Sequence, residues 1–232
     1  MEDATDTLVD STLHWSSIVA SGPDAESFLQ GQLSQDIANL DAHGVWSLLL
    51  APDGIVLTSL YVTPAPEGFA LCVPRALGDV ALTRLRRFLL RTKCTLDVVD
   101  VTHGPYDTVG DQIAAGRPGA AEFALGLTPQ CFGASFVASS VSFTKGCFTG
   151  QELVGRLDAR GSSVPWRMVR ATGPSVERVN EVLRSKGPAG TSGVTTSTPL
   201  ETSVAALGVA HRSLFASAEL DGADDVAVEE IA

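Results

Sequence analysis

Four cysteines in 232 residues, at 72, 94, 131 and 147, are too few and too widely spaced for a CxxC metal or redox pair or for a disulfide scaffold. Reduced thiols are the expectation. The four histidines, at 14, 43, 103 and 211, form no HxxxH pair, which argues against a self-contained zinc site. No apolar run comes near the roughly 18 residues of a membrane-spanning helix, and Met1-Glu2-Asp3-Ala4-Thr5-Asp6 has neither the basic start nor the apolar stretch of a secretory signal. A cytoplasmic protein without membrane contact is expected. Also missing are the phosphate-binding GxxxxGKS/T, a GxGxxG after a strand, the GxSxG nucleophile elbow and HExxH, so those enzyme classes drop out.

What is present suffices for a folded chain: 44% hydrophobic and 19% charged residues allow one large domain or two to three small ones. The formal charge of −11 sits mostly at the ends, where Glu2, Asp3, Asp6 and Asp10, and Glu219, Asp221, Asp224, Asp225, Glu229 and Glu230, meet no base. The remaining 17 acids and 16 bases nearly cancel. Residues 1–10 and 219–232 therefore read as acidic, solvated tails. Phosphate binding draws its affinity from clustered Lys and Arg, and direct nucleic-acid binding is not expected.

Along the chain, Phe28, Leu29, Leu33, Ile37 and Leu40 recur at helical spacing after Gly22-Pro23-Asp24 and predict a helix over 22–40. Val45–Leu50 and Ile55–Val62 flank the turn Ala51-Pro52-Asp53-Gly54 as a β-hairpin, followed by a strand at Phe69–Val73. Leu77, Ala81, Leu85 and Phe88 mark the buried stripe of a second helix whose other face is basic, with Arg84, Arg86, Arg87, Arg91 and Lys93, before a strand at Thr95–Val101. That basic face reads as a solvated surface or as an attractor for an anionic ligand tail or RNA. Residues 103–135 suggest loops with one short helix near Asp111–Ala115, then a strand over Val137–Phe143. Two β-rich pieces, Trp166–Ala171 and Val204–Arg212, bracket a helix at Ser175–Ser185 and a Gly/Ser/Thr linker. The order implies an α+β fold with largely antiparallel pairing.

Candidate chemistry concentrates in Lys145-Gly146-Cys147-Phe148-Thr149-Gly150-Gln151-Glu152 and on to Arg156 and Arg160. Gly146 and Gly150 permit tight turns around the thiol, and Lys145 with Arg156 or Arg160 would favour a thiolate. The alternative is that Cys147 is a small buried hydrophobe. Glu152 either accepts a hydrogen bond from a bound ring or neutralises the arginines, and Gln151 carries the same ambiguity. Trp15 either packs in a core or stacks on a flat heterocycle.

Lys-Gly-Cys-Phe-x-Gly-Gln-Glu, followed by Arg156 and Arg160-Gly161, resembles the signature of the YgfZ family, shared with its mitochondrial iron–sulfur assembly relatives and similar in fold to the tetrahydrofolate-dependent aminomethyltransferase of the glycine cleavage system. Phe28-Leu29-Gln30-Gly31-Gln32-Leu33-Ser34-Gln35-Asp36, Ile113-Ala114-Ala115-Gly116-x-Pro118, Thr128-Pro129-Gln130 and Val141-Ser142-Phe143 follow in the family's order, with a weaker echo at Gly193–Ser197 and Ala206–Ala210.

The resemblance implies an aminomethyltransferase-like ring of α/β subdomains with mainly antiparallel sheets around a central folate cavity, and a small β-barrel-like C-terminal subdomain. The corresponding divisions are an N-terminal folate-binding part over 11–102, a shortened middle over 103–162 with the cysteine motif, and a β-rich part over 163–218. It further implies tetrahydrofolate or a derivative as ligand, Cys147 and Lys145 as reactive residues, and Trp15, Gln151, Glu152 and Arg156 as folate-binding residues, with no resident metal. The implied role is a folate-binding accessory protein for iron–sulfur proteins or cluster-assembly factors, indirectly supporting tRNA modification. A folate-dependent one-carbon transferase and a ligand-free scaffold are the alternatives. Against the transferase, Thr58 and Ser59 stand where aminomethyltransferases carry acids for proton handling at folate. The shortening falls near 103–111, so a second wall tryptophan of bacterial relatives would lie near Thr108.

Overall fold

The computed structural model describes residues 12–38, 40–161, 163–188, 190–216 and 223–231. The first half is a five-stranded antiparallel sheet in the order β2-β3-β4-β1-β5, built from β1 (Trp15–Ser21), β2 (Val45–Leu50), β3 (Val56–Ala65), β4 (Gly68–Pro74) and β5 (Thr95–Val101). Two helices, α1 (Ala25–Gln32) and α2 (Gly78–Arg86), belong to the same half.

Side chains alternate faces along a strand, and β2 shows why its apolar run is nearly continuous. Leu49, with Leu60 and Val62 of β3, joins a core with Ile18, Leu29, Leu71 and Leu85. Leu48 and Leu50 face a different core containing Phe132, Phe136, Val154, Met168 and Leu207. The sheet is therefore buried on both sides in this region.

The second core is roofed by short elements: α3 (Val109–Ala114), α4 (Ala120–Phe123), a 3-10 turn over Pro129–Phe132, α5 (Ala134–Ser140) and α6 (Gln151–Ala159). The chain then forms β6 (Trp166–Gly173), α7 (Val176–Arg184), β7 (Gly193–Pro199), β8 (Val204–His211) and β9 (Ala227–Glu230). These strands make an open antiparallel sheet, β7-β8-β6-β9, and not a closed barrel.

Several local expectations are corrected. The helix expected over 22–40 stops at Gln32, and Leu33 turns extended to bridge Leu49. Ile37 is buried without helical backbone, so its spacing reflects the core and not a helix. The first part of the strand expected over Val137–Phe143 is instead the end of α5, which Gly133 caps at its start with φ 102° and an extended Val141 caps at its end. Trp15–Ser21, without a strand expectation, is the strand between β4 and β5. Part of the Gly/Ser/Thr linker is β7.

Within the supposed C-terminal tail, Ala223 and Val226 are buried, and Glu229 and Glu230 of β9 face Arg170 and Arg167 across β6 at 3.6 and 3.3 Å. Residues 1–10 and 219–222 lie outside the described residues. On α2 the expected stripe ends early: Phe88 is 41% exposed, whereas Arg84 is buried.

Candidate functional site

A cavity of about 440 Å³ opens between the first sheet and the middle segment, lined among others by Trp15, Trp46, Ser59, Tyr106, Gln112 and Arg117. Trp15 begins β1, paired with Pro74 on one side and Val101 on the other. Its indole Nε1 donates to the Tyr106 carbonyl at 2.8 Å, and a β-carbon at residue 104 would sit 2.2 Å from the ring. Only glycine there permits the approach. Trp46 of β2 stacks on Tyr106 with centroids 6.0 Å apart and planes 15° from parallel. Ser59, beside the equally uncharged Thr58, is buried in β3. No carboxylate is among the residues lining this cavity.

Two arginines line the cavity: Arg75, which pairs with Asp100 at 3.2 Å, and Arg117, which lies against the aromatic wall. Its guanidinium carbon lies 4.5 Å from the Trp46 ring centroid and 5.2 Å from that of Phe136, and Nη1 donates to Ser140 Oγ at 3.2 Å. Burial lowers its pKa, opposed by the Tyr106 hydroxyl, with no acidic side chain among the groups acting on it. Gln112 holds the same loop: its Nε2 donates to the Arg117 carbonyl at 3.0 Å. Behind the cavity, Glu122 of α4 is fully buried and accepts from the Gly119 N–H at 2.7 Å and from the Thr195 and Thr196 hydroxyls at 2.5 and 2.6 Å. That carboxylate ties the middle segment to β7.

The cysteine motif forms a second, adjoining feature. Ser34, just after α1, donates from Oγ to the Ser140 carbonyl at 2.6 Å, and its own carbonyl accepts from the Ser142 N–H at 2.9 Å. Thr149 N–H donates to the Gly31 carbonyl at 3.3 Å. Lys145 completes the clamp: Nζ donates to the Leu33 and Gln35 carbonyls at 2.9 and 2.8 Å. Both carbonyls lie just past the end of α1, so the lysine pins the extended segment that follows the helix. Burial draws the Lys145 pKa down to about 8, opposed by Asp36. The Asp36 carboxyl lies below its ordinary value through the Gln30 amide, the Ala38 N–H and Lys145.

Cys147 is the exposed one of the four free thiols. Burial raises the pKa of Cys72 to about 11 and also raises Cys94 and Cys131. Accessibility therefore singles out Cys147 and removes the reading of it as a buried hydrophobe. Gly150, with φ 83°, turns the chain into α6, and a β-carbon there would meet the Ala51 carbonyl at 2.7 Å. Gln151 is half-buried at the start of α6. Glu152 pairs with Arg156 one turn along its exposed face, so these two side chains satisfy each other.

Of the six residues singled out in sequence, Trp15 lines the cavity and the other five do not. Ser140 joins the two features, touching Arg117 by its hydroxyl and Ser34 by its carbonyl. Trp46, Tyr106, Gln112 and Arg117 went unrecognised. Tyr106 lines the cavity two residues from Thr108, which instead caps α3 through Asp111. Arg117 stands inside the quoted Ile113–Pro118 motif, whose one cationic position was the available signal. Among the described residues no three His, Cys, Asp or Glu side chains converge as a metal site, and no helix is long and apolar enough to cross a membrane.

No protein-family model matches the chain. The tRNA-modifying protein YgfZ of Klebsiella pneumoniae (strain 342) is 36% identical over 87 residues, which are 37% of this chain and 27% of that protein. A mitochondrial iron–sulfur cluster assembly factor IBA57 homolog of Pyricularia oryzae (strain 70-15) is 31% identical over 87 residues, 36% of this chain and 22% of that one. These matches span about a quarter of the curated relatives. The glycine cleavage system aminomethyltransferase T from Bartonella henselae superposes with a TM-score of 0.54 at 16% identity, covering 88% of this chain and 77% of that one. The chain is thus similar in sequence to YgfZ-type proteins and has the aminomethyltransferase-like α+β fold.

Proposed function

We propose that the protein is a cytoplasmic folate-binding accessory factor for iron–sulfur cluster assembly or repair, indirectly supporting tRNA modification. One observation carries this reading: the cavity that Trp15 helps to line is walled by aromatic rings and holds an arginine, Arg117, with no acidic partner among the described residues. Its volume of about 440 Å³ lies in the range of small-molecule sites. The residues present fit a flat heterocycle with an acidic tail. Trp15, Trp46 and Tyr106 offer rings for a pteridine, Gln112 and Ser59 offer polar atoms, and Arg117 offers charge. Tetrahydrofolate would supply a carrier for one-carbon units.

The accessory role is favoured over a transferase because the cavity wall has no carboxylate to manage a proton at the folate nitrogen. Cys147, in the adjoining loop, is the residue that meets an incoming iron–sulfur client or a folate-borne adduct. The iron–sulfur cluster is cargo here, since a lone thiol is a single ligand.

Titration of the protein with tetrahydrofolate, followed by tryptophan fluorescence, tests the ligand. Saturable quenching is expected, and no binding at near-millimolar ligand would leave the scaffold reading. Cys147→Ala tests the thiol: thermal stability should be unchanged while complementation of iron–sulfur enzyme function is lost. Full complementation by that variant would remove Cys147 from the mechanism. Product formed above background from an aminomethyl donor and tetrahydrofolate would instead favour the transferase.

A further inference from the structure

The basic window at residues 84–93 has no part in the reading above. Val80 and Arg84 of α2 and Arg87 at its C-terminal cap, with Leu57, Asp79 and Thr83, line an open groove of about 420 Å³. Bases in the last turn of a helix complement its dipole, but such bases ordinarily reach water. Arg84 does not. It is 8% exposed, its buried Nε and Nη2 have no hydrogen-bond partner, and the Phe88 ring centroid lies 4.6 Å from its guanidinium carbon.

Among the described residues no carboxylate forms an ion pair with Arg84. Burial lowers its pKa, and the charge acting on it, that of Arg87, lowers it further. A buried cation without a counter-charge is unfavourable unless something completes it. Nε and Nη2 form the lateral edge of the guanidinium, whose two N–H bonds match two oxygens of one phosphate.

We infer that this groove binds a small phosphate ester, of the size of a nucleoside monophosphate, with Arg84 as the fork and Arg87 as the second cation. Because Nε and Nη2 are buried, binding requires the side chains around that edge, the adjacent Phe88 ring among them, to shift and open it to the groove. Asp79 is the carboxylate in the groove; it holds no phosphate oxygen and disfavours a second phosphate. A long nucleic acid is the weaker candidate, because outside the acidic ends 17 acids nearly cancel 16 bases and leave little basic excess for a phosphate backbone.

Calorimetric titration at low ionic strength, with inorganic phosphate, adenosine monophosphate and a short single-stranded RNA, tests this on the full chain, Arg84→Met and Phe88→Ala. Wild type is expected to bind the monophosphate saturably, Arg84→Met at least about tenfold more weakly, as loss of a charge-assisted pair implies. Phe88→Ala should bind it more tightly. Without ligand, Arg84→Met should melt no lower than wild type, and the monophosphate should raise the melting temperature of wild type and Phe88→Ala but much less that of Arg84→Met. Inorganic phosphate binding as tightly as the ester, with the same Arg84 dependence, would support the phosphate site and identify the free ion as sufficient. No saturable binding of either by wild type at about 10 mM, or equal binding by Arg84→Met, would overturn it. RNA bound more tightly than the ester and indifferent to Arg84→Met would overturn it in favour of an extended surface. Should Arg84→Met fail to fold, Phe88→Ala decides: unchanged or weaker affinity sinks the proposal.

Discussion

Replacing Lys145 by methionine separates a structural clamp from a purely chemical lysine. Methionine preserves most of the apolar stem but removes both donors to the Leu33 and Gln35 carbonyls and the ammonium that lies 5.7 Å from the Phe148 ring centroid. A hydrogen bond from a charged donor contributes about 1.5–3 kcal/mol. Because Lys145 is only half-buried, water partly replaces it, and the pair together is worth about 2–3 kcal/mol. At about 2–4 °C per kcal/mol for a chain of this size, the melting temperature should fall by about 4–12 °C in a calorimetric or circular-dichroism melt.

The same group carries a pH signature. Its folded pKa of about 8 lies below the ordinary 10.5, so between these values the unfolded chain binds the extra proton and stability rises with pH. The neutral amine still donates to both carbonyls. Wild type should therefore gain stability relative to Lys145→Met as pH rises from about 8 to about 10.5, with the two curves parallel below pH 7. An unchanged melting temperature, or a difference between the proteins that shrinks with rising pH, would refute the clamp.

Three further outcomes follow from the same contacts. Glu122→Ala strands the Gly119 N–H and the Thr196 hydroxyl, leaves Thr195 with the Leu207 carbonyl alone, and should cost about 3–5 kcal/mol in denaturant unfolding, whereas Glu122→Gln, which keeps an acceptor for both hydroxyls, should cost about 1–2 kcal/mol. Gly150→Ala places a β-carbon against the Ala51 carbonyl in a left-handed conformation and should cost about 2–4 kcal/mol, with a changed rate of Cys147 alkylation as the local readout. Arg117→Gln should weaken tetrahydrofolate binding by about 10- to 100-fold in the fluorescence titration while leaving an uncharged pterin unaffected; an equal loss for both ligands would make Arg117 a wall residue only.

The antiparallel hairpin, its third strand and Thr95–Val101 were legible because apolar runs and the Pro-Asp-Gly turn are local signals. What failed was long-range. Leu33 has helical spacing but leaves the helix to bridge Leu49, and its carbonyl is taken by Lys145, more than a hundred residues later. Val137 and Val141 carry strand propensity, yet both are buried in a core where a short helix fits. β9 lay hidden in an acidic end because its two glutamates are neutralised across the strand by Arg167 and Arg170. For the site, Trp15 was found through a motif, while Trp46, Tyr106 and Arg117 converge from three separate segments, and no spacing rule joins them.

The interlock between residues 31–35 and 140–149 also sets an order of events during synthesis. Closing contacts between segments about 110 residues apart carries a loop entropy that is recovered only when both partners exist. A nascent chain that has not yet emerged past residue 149 can form the first hairpin, but the carbonyls of Gly31, Leu33 and Gln35 still lack their native partners. The Cys147 loop thus acquires its final shape only after the two halves have met, and protection of the Ser142 and Thr149 amides from hydrogen exchange should mark completion of the fold.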